Sequence, residues 1–152
     1  MRDGVIRLSR EFSFEMAHSL EGYDGACREI HGHSYRLAVT VSGRPQADET
    51  SPKLGMVVDF GLLKRIVNER IVSRYDHAFV VRRTPSNGAL IEALQAKYAN
   101  LRVVDYQPTS ENLLLAFVDE LQQALPDGVR LEAVRLSETA SSSAEWLRSD
   151  NL

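Results

Sequence analysis

The sequence predicts an α+β fold, and three observations carry the prediction. Residues 5–18 and 31–44 alternate apolar and polar side chains with the period of two of a half-buried strand. Two later stretches, about 60–74 and the residues after Pro108, space their apolar residues as one face of a helix. The resulting order, β-β-α-(α)-β-α-β, is that of an α+β domain.

The elements follow in order. In the first strand Ile6, Leu8, Phe12, Phe14 and Met16 share one parity, and Arg7, Ser9, Glu11, Ser13 and Glu15 share the other. His18 has the apolar parity. Residues 19–30 form a loop, punctuated by Gly22 and Gly25 and carrying Cys27. It is long for a hairpin, and long ordered loops are often functional. In the second strand Tyr35, Leu37, Val39 and Val41 share a face with His31 and His33. A polar connection (45–55) and the short apolar run Met56-Val57-Val58 lead to Asp59, a residue able to cap the helix of 60–74. Leu63, Ile66, Val67 and Ile71 form that helix's apolar face. The stretch from Tyr75 to Val81 carries Asp76-His77. Pro85, Asn87 and Gly88 break the chain, and a short helix of about 88–99 and a short strand of about 101–106 follow. Thr109 or Ser110 caps a second long helix with the stripe Leu114, Phe117, Val118, Leu121 and Leu125. Pro126-Asp127-Gly128 is a turn. The final strand, 129–138, changes apolar parity near Ala133-Val134, as a bulge would make it do.

Composition bounds the function. A length of 152 residues suits one domain, 1–152. A chain of this size buries roughly two-thirds of its unfolded surface. Net charge is −3 with no basic run, so a nucleic-acid partner is not expected. No segment approaches the roughly 18 apolar residues of a membrane span, and the N-terminus has no apolar signal core. One cysteine forms no internal disulfide, which suits a reducing cytoplasm.

The histidines point to chemistry. His18, Cys27, His31 and His33 crowd into one short stretch, and neutral imidazole is the commonest zinc ligand. Two histidines at i and i+2 on a strand point the same way. If the two strands pair as a long hairpin, His18 at the end of one meets His31 and His33 at the start of the other. Three imidazoles then converge with a fourth position open, the layout of a catalytic zinc. A lone histidine on an apolar face is more often a hydrogen-bonded core residue. Three in phase favour the metal.

Other residues leave alternatives open. Cys27 beside a metal is a base or nucleophile, a fourth ligand, or an inert small hydrophobe. In Asp76-His77 a carboxylate could fix an imidazole's tautomer. Neighbours on a strand face opposite ways, however, so a surface pair is the alternative. Glu111 in a helix's first turn reads as a favourable dipole contact. Glu138 ends an apolar strand. It is either a charge reaching solvent or an acceptor of two parallel bonds from a guanidine-like edge.

Taken in order, His18, Cys27-Arg28-Glu29-Ile30-His31-Gly32-His33, Gly55-Met56-Val57-Val58-Asp59-Phe60, Asp76-His77, Pro108-Thr109-Ser110-Glu111-Asn112-Leu113 and Glu138-Thr139 resemble the 6-pyruvoyltetrahydropterin synthase superfamily. The three-residue gap between Cys27 and His31 resembles its bacterial 6-carboxytetrahydropterin synthase branch. The resemblance implies a tunnelling fold: a four-stranded antiparallel sheet with two long helices on one face. It implies that three copies join sheets into a barrel and that two trimers stack as a homohexamer, with Cys27 and Asp76-His77 of one site coming from different copies. It implies Zn2+ held by His18, His31 and His33, proton movement by Cys27, Asp76 and His77, and a pterin anchored by Glu138 near Thr109 and Ser110. The implied reaction is a lyase step in queuosine biosynthesis. The run after Asp76-His77 and the long 82–106 stretch depart from that branch. Related members make a 6-pyruvoyl product or cleave the side chain for folate synthesis, and a non-catalytic pterin- or zinc-binding protein is a further alternative.

Overall fold

The computed structural model describes residues 2–152. Strands β1 (Ile6–His18) and β2 (His31–Gly43) form an antiparallel hairpin, in register from Ile6 opposite Gly43 to His18 opposite His31. The loop between them holds one 3-10 turn, Ala26–Arg28. Helix α1 (Phe60–Val67) continues through a π turn (Asn68–Val72) into α2 (Ser73–Tyr75). Strand β3 (Ala78–Arg82), helix α3 (Gly88–Lys97) and strand β4 (Leu101–Val104) come next. Helix α4 (Ser110–Ala124) and strands β5 (Arg130–Ser137) and β6 (Ser143–Leu147) follow.

The sheet has six strands in the order β4-β3-β1-β2-β5-β6, not four. Its β1-β2-β5-β6 part is a four-stranded antiparallel unit of the kind the resemblance implies, with β6 a strand that the sequence pattern does not mark. The addition on the other side is β3, which pairs parallel to the last three residues of β1; the short strand expected at about 101–106 is β4, which pairs parallel to β3. Strand β3 escapes a reading by alternation because Ala78, Val80 and Val81 are all buried. Parallel strands covered on both sides give continuous apolar runs. Strand β6 lies beyond the Ser-rich turn at 140–142, where Glu138 N–H donates to Ser142 O at 3.0 Å. The bulge in β5 falls at Glu132, because Thr40 faces Ala133 and Val41 faces Leu131.

Both long helical runs cover one face of the sheet. Leu63, Val67, Ile71, Leu113, Phe117 and Leu121 are buried against Tyr35, Leu37, Val39, Val41, Leu131 and Leu136. Burying each such side chain contributes about 1.5–3 kcal/mol. An eight-residue helix is marginal alone, so this packing is what holds α1. The Asp59 carboxylate caps it, accepting from Gly61 N–H at 2.7 Å. Thr109, not Ser110, caps α4, accepting from Asn112 N–H at 3.3 Å. The other face of the sheet is polar, with Ser9 bonded to Thr40 and Ser34 to Glu15. Among the described residues, no helix is long and apolar enough to cross a membrane.

Candidate metal centre

The three in-phase histidines meet where the β1–β2 ladder ends. His18 lies opposite His31, and His33 opposite Met16. One ring nitrogen from each histidine lies within 4.8 Å of the other two. The Nε2 atoms of His18 and His31 are 3.0 Å apart. Ring planes cross at 60° to 90°, so edges rather than faces converge. A tetrahedral zinc–nitrogen set places its donors about 3.4 Å apart, and the cluster spans that distance.

The ring protons decide what the cluster can hold. His18 Nδ1 donates to Pro108 O at 2.7 Å, and His31 Nδ1 donates to Glu29 O at 2.8 Å. A carbonyl only accepts, so each neutral ring carries its proton on Nδ1 and offers Nε2 as a bare lone pair. Two such lone pairs at 3.0 Å repel unless a cation lies between them. Burial holds the His18 imidazole below its ordinary value of 6.5 and so favours the neutral ring. His31 and His33 add to that effect, while the Pro108 carbonyl and Glu138 oppose it. His33 Nε2 is buried without a hydrogen-bond partner. Glu138 Oε1 is only 3.2 Å from it but is poorly aligned to accept. All three nitrogens therefore suit a divalent cation, and the carbonyls hold two rings in the ligating tautomer.

Glu138 belongs to this cluster and is not a charge reaching into solvent. Its Oε1 lies 3.4 Å from His18 Nε2, and its side chain is 28% exposed. The Tyr35 hydroxyl donates to the same oxygen over a long 3.5 Å. Burial and the Glu138 charge push that phenol far above its ordinary range, so it stays a neutral donor. A cavity of about 230 Å³ opens beside the cluster, lined by His18, Cys27, Thr109, Ser110, Glu111 and Glu138 among others. Cys27 is exposed, and it is not one of the atoms that converge within 4.8 Å. That geometry supports neither the fourth-ligand nor the buried-hydrophobe reading. The Ser110 Oγ is buried with no partner among the described residues.

Asp76 and His77 are not among the groups that converge in the cluster. His77 has φ +60, so the backbone turns left-handed between helix and strand. That turn removes the alternation expected of neighbours, and Asp76 Oδ1 lies 3.1 Å from His77 Nδ1. The turn is bonded on both sides to Glu15: Glu15 N–H donates to Asp76 Oδ1 at 2.9 Å, and His77 N–H donates to Glu15 O at 2.6 Å. The Glu15 N–H, then His77, hold the Asp76 carboxyl below its usual range. His77 is 77% exposed. It borders one cavity with Glu15, Gly32, His33 and Ser34 and another with Ile30, Tyr98 and Leu101, but not the one that holds Cys27.

Sequence reasoning did not assign the carbonyls of Pro108 and Glu29, which leave no trace in residue type. It placed Tyr35 only in the core, although its position two residues beyond His33 on the same face was the available signal.

Comparison with known proteins places this architecture. A structure of an uncharacterised protein from Wolinella succinogenes aligns with a TM-score of 0.74 at 22% identity, covering 94% of this chain and 98% of its own. The 6-pyruvoyl tetrahydropterin synthase of Plasmodium vivax aligns at 0.68 and 19%, covering 95% and 98%. That of Caenorhabditis elegans aligns at 0.66 and 23%, covering 97% and 98%. The fold is the α+β tunnelling fold that these proteins share. The family described as 6-pyruvoyl tetrahydropterin synthase matches residues 7–149, and the chain belongs to that family. A Haemophilus influenzae relative named 6-carboxy-5,6,7,8-tetrahydropterin synthase is 34% identical over 143 residues, 93% of this chain and 99% of its own. A Synechocystis protein of the same name is 32% identical over 137 residues, 90% and 89% of the two chains.

Proposed function

We propose that the chain is a zinc-dependent 6-carboxy-5,6,7,8-tetrahydropterin synthase. It would convert 7,8-dihydroneopterin triphosphate to 6-carboxy-5,6,7,8-tetrahydropterin with release of acetaldehyde and triphosphate, a step toward queuosine and other 7-deazaguanines. The observation that carries the reading is the pair of bare Nε2 lone pairs 3.0 Å apart, in a chain whose relatives bear that enzyme's name.

His18, His31 and His33 hold the metal. Zinc bound there supplies a Lewis acid that polarises side-chain hydroxyls of the substrate. Glu138 accepts two parallel N–H bonds from the pterin's amino-imine edge. The unpartnered Ser110 hydroxyl and Thr109 lie along the same cavity as further polar contacts. Cys27, exposed and lining the same cavity, removes a proton from the substrate side chain. Asp76 holds the His77 Nδ1 proton, leaving Nε2 to take or return a proton.

The separation of His77 from the Cys27 cavity supports a site shared between copies. Residues 6–15 of β1 have no strand on their outer side among the described residues, and β6 ends the sheet. Such open edges suit pairing with further copies, and we assign a homohexamer, a dimer of trimers, in the cytoplasm, with 1–152 as its single domain.

Mass spectrometry of products from 7,8-dihydroneopterin triphosphate and zinc-loaded protein tests the reading. The expected products are the 6-carboxy compound and acetaldehyde. A 6-pyruvoyl product would assign a triphosphate lyase instead. Bound pterin with no product at any time would assign a non-catalytic binding protein.

A further inference from the structure

We infer that Gln107 is a positioning residue that sets where Cys27 stands over the histidine centre. The loop of residues 19–30 has little packing to fix it: Gly22 to Asp24 and Ala26 to Ile30 are exposed, including the large side chains of Tyr23 and Ile30. Its hydrogen bonds are mostly internal, such as Leu20 N–H to Cys27 O at 3.0 Å and Glu29 N–H to Ala26 O at 3.1 Å. Among the described residues, only two bonds tie it to a part of the chain distant in sequence, and one side chain makes both. Gln107 Oε1 accepts from Glu21 N–H at 3.1 Å, and Gln107 Nε2 donates to Glu21 O at 2.8 Å.

The clamp is itself fixed. The Gln107 carbonyl accepts from Thr109 N–H at 2.8 Å and from Asn112 Nδ2 at 3.0 Å, so the residue is bound to the start of α4. The next residue, Pro108, holds His18 through its carbonyl, and Thr109 caps α4. Three consecutive residues thus register the Cys27 loop, a metal-ligating ring and the helix that lines the cavity. From Gln107 the path to Cys27 runs through Glu21 to Leu20, whose N–H grips the Cys27 carbonyl. A primary amide suits this place because it donates and accepts side by side, completing both polar groups of one backbone residue.

The inference about catalysis rests on the proposed function; the inference about loop order does not. Two ordinary net hydrogen bonds weigh on the order of tenfold or more in the ratio of closed to open loop. The test compares wild type with Gln107→Ala, Gln107→Asn and Gln107→Glu by amide hydrogen exchange, zinc content and steady-state kinetics. In Gln107→Ala the amides of Leu20, Glu21 and Tyr23 should exchange about tenfold faster, with β1 and α4 unchanged. Zinc content and KM should hold while kcat falls by a similar factor. Gln107→Asn is too short to reach both groups and should match Gln107→Ala. Gln107→Glu keeps the acceptor alone and should fall between. Unchanged loop exchange, or exchange raised equally throughout the chain, would overturn the clamp. Faster loop exchange with kcat intact would overturn the role in positioning. Absence of turnover in the wild type would instead count against the proposed function, leaving exchange to decide the clamp.

Discussion

The two parts of the proposed site are built in opposite ways. The histidine cluster stands on a regular ladder: thirteen residues of β1 lie in register with thirteen of β2, and backbone carbonyls lock two of its rings. The Asp76-His77 pair stands on one irregular turn, with His77 at φ +60 and its side chain 77% exposed. The first is regular and at least half-buried at each of its three ligands. The second is open and held mainly by the backbone of Glu15. The contrast teaches that a metal centre needs a scaffold which fixes several donors at once. A proton carrier needs only its tautomer fixed and room to meet a partner.

Substitutions should separate the two regions, most strongly at the cluster. His31→Ala should weaken zinc binding by roughly 10³-fold or more, since a three-ligand site loses about a third of the ~10–16 kcal/mol typical of protein zinc. Competition with a chelating dye measures this, and undiminished affinity would break the assignment of the cluster. Cys27→Ala should keep zinc and thermal stability while turnover falls about 10²–10⁴-fold, the usual range for a lost general acid or base. Normal turnover in that variant would remove Cys27 from the chemistry. Glu138→Gln should raise KM about 10- to 100-fold, as expected for losing a charge-assisted bond of roughly 1.5–3 kcal/mol. Equilibrium pterin binding that matched wild type would show that Glu138 serves only the histidines.

The smallest effect belongs to the turn. The folded Asp76 carboxyl lies below its ordinary 3.8, so its contribution is full above 3.8 and is lost as pH falls through the lower folded value. Protection of the Glu15 and His77 amides should therefore persist from neutral pH down to about 4 and vanish only in stronger acid. Asp76→Asn should abolish that acid transition while leaving zinc content untouched. Loss of protection already near pH 6 would point to another group.

How much was legible follows the same divide. Parity in 5–18 and 31–44 found the hairpin and the facing histidines, because a regular antiparallel ladder preserves side-chain phase from end to end. The helix faces and the Asp59 cap were legible for the same reason. Strand β4 was legible as the short stretch near 101–106, but its neighbour β3 was hidden because buried parallel strands do not alternate, and β6 by its brevity beyond a serine-rich turn. A positive φ at a histidine has no sequence signature, so the contact between Asp76 and His77 looked unlikely on strand phase and exists because strand phase fails there. The carbonyls that hold His18 and His31, and the Gln107 clamp, come from loops brought together only by the fold.

The central claim is that Cys27 and His77, which line different cavities of one chain, complete a site between copies. Co-assembly of Cys27→Ala with His77→Ala chains tests it most directly, each variant being inactive alone. Mixed assemblies should recover roughly a quarter of wild-type turnover, the share statistical mixing gives a symmetric oligomer. Turnover that stays at the level of the separate variants, in assemblies demonstrated to be mixed, would contradict the shared site and require both groups from one chain.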